Sequence, residues 1–118
     1  MTERPLWTPS PARAQASNLW RFMAPLGFTT FDEVLRFSVS EPEAFWARLW
    51  DFCEVKAETR GSRVLVDGTK MPGAKFFPDA RLNYAENMLR RTDGADALVF
   101  RGEDRVKRRM SWAELNRA

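Results

Sequence analysis

Apolar residues recur at three- and four-residue spacing through the first half of the chain and alternate near its end, a change of period that places helices before strands. Ser10 in capping position and Pro11 as a first helical residue open a helix whose apolar face is Ala16, Leu19, Trp20, Met23 and Leu26, and Pro25 with Gly27 closes it. In "TTFDEVLRF", Thr30 and Glu33 have capping-box spacing, with Phe31, Val34, Leu35 and Phe37 as apolar positions of a short helix. Ser40 and Glu43 repeat that spacing ahead of "FWARLWDFC", where Phe45, Trp46, Leu49, Trp50 and Cys53 form the clearest apolar stripe.

Beyond the helices, "RVLVDG" reads as a strand closed by an Asp67-Gly68 turn. "TKMPGAKFFPDAR" is expected to be irregular, with Pro72-Gly73 and Pro78-Asp79 as turn signals. Residues 82–91 read as a helix with Leu82, Ala85, Met88 and Leu89 on one side, and "DALVFR" and "RVKRRM" around Gly102-Glu103-Asp104 predict a β-hairpin. Ser111 and Glu114 make a third capping box before "WAELNRA". A hairpin and a helix about two turns long do not complete a layered α/β domain, so the chain is expected to be an N-terminal part of something larger. No internal repeat, low-complexity tract or linker divides it.

With 44% apolar and 13% aromatic residues, the chain is not compositionally disordered and has the material for a core. A net charge of +3 is modest, and the only basic cluster is "RVKRR", Arg105 to Arg109. A dedicated nucleic-acid binder concentrates more basic residues on one element, so a nucleic-acid partner is not expected. A single cysteine excludes an intrachain disulfide and suits a reducing compartment. Neither a signal-peptide core nor a run near the roughly 18 apolar residues of a membrane span occurs, so we expect a soluble cytoplasmic protein without a membrane partner. The absence of histidine removes the commonest general base and a common zinc ligand.

The remaining chemistry-bearing residues read as structural. Cys53 lies on an apolar stripe, where a thiol behaves as a small buried hydrophobe. Trp7, Trp20, Trp46, Trp50 and Trp112 could stack on a ring, but helical spacing makes Trp46 and Trp50 core residues. The glycines are isolated, so Gly73 with Lys75 in "MPGAK" is too little for a phosphate loop. In a strand Arg105, Lys107 and Arg109 would share one face and Val106 and Arg108 the other, as edge strands often arrange their charges. Asp67, Asp79 and Glu86 have no partner at catalytic spacing and read as turn and surface groups.

"SVSEPEAFWARLWDF" (38–52) followed by "MPGAKFFPDARLNYAENML" (71–89) resembles the N-terminal region of the acetoacetyl-CoA synthetase family, in the acyl-CoA synthetase branch of the adenylate-forming, AMP-binding superfamily. "RRMSWAELNRA" resembles the start of that family's large domain, and the likeness covers roughly residues 12–118. The family commonly has Trp where Phe76 stands and often Gly where Asp79 stands; Phe keeps the apolar bulk, and Asp tolerates a positive φ. The resemblance implies an α+β fragment: a flexible arm over 1–11, a helical N-terminal extension over 12–91, and over 92–118 the truncated first strands and helix of a large α/β domain.

The same resemblance implies a parent ligase of fatty-acid and lipid metabolism. It would join acetoacetate to CoA with ATP and Mg²⁺ through an acyl adenylate, releasing AMP and diphosphate. The phosphate loop and catalytic lysine of the family lie downstream, so no catalytic, cofactor-binding or metal-binding residue is assigned here. The fragment would then be inactive, bind none of these cofactors itself, and have the rest of the ligase as its partner. Phe76, Phe77, Leu82, Tyr84 and Met88 would be buried by that partner. The alternative is a stand-alone interaction module docking on another protein through its aromatic face, and a weaker one is a small basic nucleic-acid binder.

Overall fold

A computed structural model describes residues 6–118, which form two units. The first five positions of the expected arm lie outside the described residues.

One unit runs up to Val55 and includes Gly61–Pro78. It contains α1 (Pro11–Gln15), α2 (Asn18–Met23), a 3₁₀ turn (Ala24–Leu26), α3 (Phe31–Ser40), α4 (Pro42–Phe52), β1 (Leu65–Val66) and β2 (Lys75–Phe76). The single helix expected over 10–26 is therefore broken. Ser17 adopts an extended backbone, accepts the Trp20 N–H at 3.1 Å and donates its hydroxyl to the Ala14 carbonyl at 2.6 Å. One serine thus caps the second helix while closing the first. Gly27, at φ 77°, ends the 3₁₀ turn in the left-handed region that a side chain would strain.

The Thr30–Glu33 capping box forms as its spacing predicts. The one expected at Ser40 and Glu43 does not. Ser40 is the last residue of α3, so its backbone is committed to the preceding helix, and Pro42 at the first position of α4 sets that helix's start. Glu41 joins the two: its N–H closes α3 on Phe37 and its carbonyl opens α4 to Phe45.

Buried at the centre of this unit are Phe22, Met23 and Val34, with Trp20, Leu26, Phe28, Phe45 and Leu49 half-buried around them. Phe22 meets Phe45 and Phe52 edge-on at ring separations of 5.8 and 5.3 Å, a geometry that aligns ring edges with ring faces. The segment expected to be irregular contains β2, which pairs antiparallel with β1 as Leu65 to Phe76 and Val66 to Lys75. The strand read in "RVLVDG" is itself only two residues long.

The other unit is Lys56–Arg60 with Asp79–Ala118, containing α5 (Tyr84–Met88), β3 (Asp96–Arg101), β4 (Lys107–Ser111) and α6 (Trp112–Leu115). The helix expected over 82–91 is confined to five residues, because Asn83 caps it and Leu89 leaves helical geometry. The hairpin and the Ser111–Glu114 box form as expected. Arg105 and Val106 fall in the hairpin turn, however, and the strand begins at Lys107.

No side chain of this unit is among the buried hydrophobic core of the described residues. Among the described residues no helix is long and apolar enough to cross a membrane.

Candidate functional site

The aromatic residues of α4 and β2 build the most distinctive surface of the first unit. Trp46 lies edge-on to Phe76 with ring centroids 5.0 Å apart, and Trp50 lies tilted over Phe77 at 4.5 Å. Spacing by four on a helix puts both indoles on one side, while Phe76 comes from β2 and Phe77 from the residue just after it. Phe77 follows β2 with a φ of 44°, and its N–H donates to the Val64 carbonyl at 2.8 Å. That left-handed backbone turns its ring onto Trp50. Asp79, which would tolerate a positive φ, is not among the positive-φ residues, whereas Phe77 is.

Cys53 corrects a second expectation. It ends α4 as an exposed residue, beside a shallow apolar depression shared with Trp46, Leu49, Trp50, Val55 and Phe77. Helical spacing placed the thiol on the right stripe, but the core meets that stripe further toward its start, at Phe45 and Leu49. Trp46 packs on Phe76 of β2 and Trp50 on Phe77 just after it, rather than within the buried core. Elsewhere, Arg13 lies 5.6 Å from the Trp7 ring and Arg91 lies 5.6 Å from the Trp112 ring.

Side-chain amides that sequence reading passed over hold the second unit together. Asn83 caps α5 by accepting the N–H groups of Ala85 and Glu86 at 2.9 and 3.4 Å. Asn87 accepts the Lys56 N–H and donates to the Lys56 carbonyl, both at 2.8 Å, while also donating to the Asn83 carbonyl at 2.9 Å. A short bridge between Thr59 and Arg81 continues the tie. The run "LNYAEN" did carry a signal, an asparagine directly before a helix start.

The remaining candidates are turn and surface groups. Asp67 occupies a left-handed turn position and pairs with Lys70 at 3.0 Å. Gly73 has a φ of 134°, and a Cβ there would sit 3.1 Å from Lys70 Cβ, so the glycine serves a tight turn. Lys75 is in β2, and Glu86 is in the first turn of α5.

Three carboxylates are held below their usual range. Backbone N–H of Thr29, the Thr30 hydroxyl and the Thr30 N–H lower Glu33 to about 2. The Arg91 guanidinium lowers Asp93, helped by the Ala95 N–H. The Ser111 N–H and hydroxyl lower Glu114. In each case hydrogen bonds to the charged form supply the shift, and each group shapes a helix start or a turn.

Among the described residues no three metal-binding side chains come together, and the glycines are isolated along the sequence. No chemical step is routed through the described residues.

Comparison with known proteins places this arrangement. The family described as Acetyl-coenzyme A synthetase N-terminus matches residues 31–88, the span from α3 through α5. An acetoacetyl-coenzyme A synthetase of Rhizobium meliloti (strain 1021) is 46% identical over 119 residues, covering 96% of this chain and 18% of its own. A malonamoyl-CoA synthetase of Penicillium aethiopicum is 28% identical over 94 residues, covering 74% of this chain and 13% of its own. The solved acetoacetyl-CoA synthetase from Streptomyces lividans superimposes with a TM-score of 0.85 at 35% identity, over 98% of this chain and 19% of its own. The chain thus spans less than a fifth of the length of each of these proteins.

Proposed function

We propose that the chain, which is similar to the N-terminal part of acetoacetyl-CoA synthetases, is the N-terminal segment of an acid-thiol ligase converting acetoacetate, ATP and CoA into acetoacetyl-CoA, AMP and diphosphate. The observation that carries this is the superposition over 98% of the chain at 35% identity. In this reading residues 12–91 are a helical extension, and 92–118 begin the large catalytic domain. ATP, CoA and Mg²⁺ are handled by the rest of a cytoplasmic polypeptide, and the segment's own role is to pack. Acetoacetate is the favoured acid because two of the three named relatives carry it in their names. A malonamoyl-CoA synthetase carries a segment 28% identical to this one, which suits a packing role that does not depend on the acyl group.

The exposed side chains support a packing role. Phe76, Leu82, Tyr84 and Met88 are 49, 45, 73 and 54% exposed. Leu82, Tyr84 and Met88 are exposed apolar or aromatic groups, and Phe76 stays half-exposed despite the edge contact of Trp46, as surfaces meant for a partner do. Phe77 departs from that expectation, since Trp50 of its own chain covers it.

The test is to read the gene past the Ala118 codon, express the encoded polypeptide, and assay acetoacetate-dependent ATP–diphosphate exchange alongside the isolated 118-residue chain. Exchange by the long polypeptide and none by the isolated chain is the expected result. Exchange by the isolated chain overturns the packing role. A stop codon after Ala118, or a long polypeptide without acetoacetate-dependent exchange, overturns the ligase assignment.

A further inference from the structure

The two strands of the hairpin are chemically unlike. Along β3 the consecutive residues Leu98, Val99 and Phe100 are 53, 52 and 57% exposed. Successive strand residues point to opposite faces, so β3 presents apolar groups on both. A strand with only one face on a core alternates apolar with polar, whereas an apolar run reads as a strand covered from both sides. Along β4 the consecutive Lys107, Arg108 and Arg109 are all exposed, placing cations on both faces as edge strands do.

The edges differ as well. The Gly102 N–H donates to the Val106 carbonyl at 2.7 Å, closing the hairpin. Alternation from that pair makes Phe100–Arg108 and Leu98–Met110 the hydrogen-bonded pairs of the ladder. Val99 and Arg101 therefore turn their N–H and C=O groups away from β4, along the open edge of β3.

We propose that β3 is an interior strand of a larger sheet, that β4 is that sheet's outer edge, and that a strand from the body of the ligase polypeptide pairs with Val99 and Arg101. The occupant rests on the function proposed above. Its argument is one of cover: the relatives are more than five times as long as the aligned segment, so their bodies can supply both a pairing strand and material for both faces. A second copy of this chain, paired edge to edge, would satisfy the open amides yet leave Leu98, Val99 and Phe100 exposed on both faces.

Hydrogen exchange tests the pairing. It is read on the isolated chain and on a relative's full-length protein in which this chain replaces the aligned segment. In the isolated chain the amides of Leu98 and Phe100 should be protected, and those of Val99 and Arg101 should exchange as open amides do. In the full-length protein the Val99 and Arg101 amides should slow by about 100-fold or more, a sign of ladder bonds opened only by sub-global unfolding. Val99→Pro deletes one outward N–H and spares the β3–β4 ladder, so it should lower the melting temperature of the full-length protein while leaving Leu98 and Phe100 protected in the isolated chain.

Fast exchange at Val99 and Arg101 in the full-length protein, with Leu98 and Phe100 slow, overturns the pairing. Slow exchange at Val99 and Arg101 in the isolated chain, together with a dimeric mass, overturns the stated occupant in favour of a second copy. Neither readout depends on ligase turnover, so loss of the proposed reaction and loss of the strand pairing are scored separately.

Discussion

Asn87 and Lys56, far apart in sequence, exchange two hydrogen bonds of 2.8 Å between a side-chain amide and a backbone. The amide presents one acceptor and one donor, the same pair that a neighbouring strand residue would offer. Asn87→Ala should cost about 1 kcal/mol in a denaturant titration. Asn87→Asp should be worse than Asn87→Ala at neutral pH, because a carboxylate can accept from the Lys56 N–H but meets the Lys56 carbonyl with a second acceptor. Equal stability of the two variants would show that the donor half of the exchange is idle.

The Thr30–Glu33 box gives a pH dependence with a definite sign. Glu33 is held at about 2 in the folded chain against an ordinary value of 4.5. Its folded pKa is depressed, so its contribution is complete above about pH 4.5 and is lost as the pH falls toward 2. Glu33→Gln keeps an acceptor but no titration. Melting temperatures of the two proteins should therefore converge between neutral pH and pH 2, and a constant gap across that range would dismiss the box as the cause.

Trp50 and Phe77 should be energetically coupled. A double-mutant cycle of Trp50→Ala and Phe77→Ala should return about 0.5–1.5 kcal/mol of interaction beyond the separate losses. Coupling near zero would mean that Phe77 is held by its turn alone.

Ser17→Ala removes the acceptor for the Trp20 N–H and the donor to the Ala14 carbonyl. The expected cost is about 1 kcal/mol. Circular dichroism distinguishes the outcome: unchanged or lower helicity supports the break, whereas higher helicity with equal stability would show that the continuous helix was the better fold.

The elements legible in the sequence are those whose cause is local. Thr30 with Glu33, Ser111 with Glu114, and the hairpin around Gly102 each depend on neighbours a few positions away. Ser40 misled because a local rule met a stronger local one: Pro42 starts the next helix whatever Ser40 could cap. Strand β2 and the exposure of Cys53 were hidden for a different reason. A two-residue pairing with β1 and the choice of which stripe meets the core are both set by distant residues. The family was legible through its "FFPDARLNYAEN" run, whose aromatic and asparagine positions work in packing and capping.

Among the described residues only Phe22, Met23 and Val34 are buried, and the hairpin half contributes none of them. In a living cell that imbalance turns assembly into a question of lifespan. Chaperones and proteases act on exposed apolar strands and loosely held termini, so a copy of this chain without its cover is read as unfinished and removed. On the packing role proposed above, the decay of the chain after synthesis is halted becomes a gauge of how often the segment has found that cover.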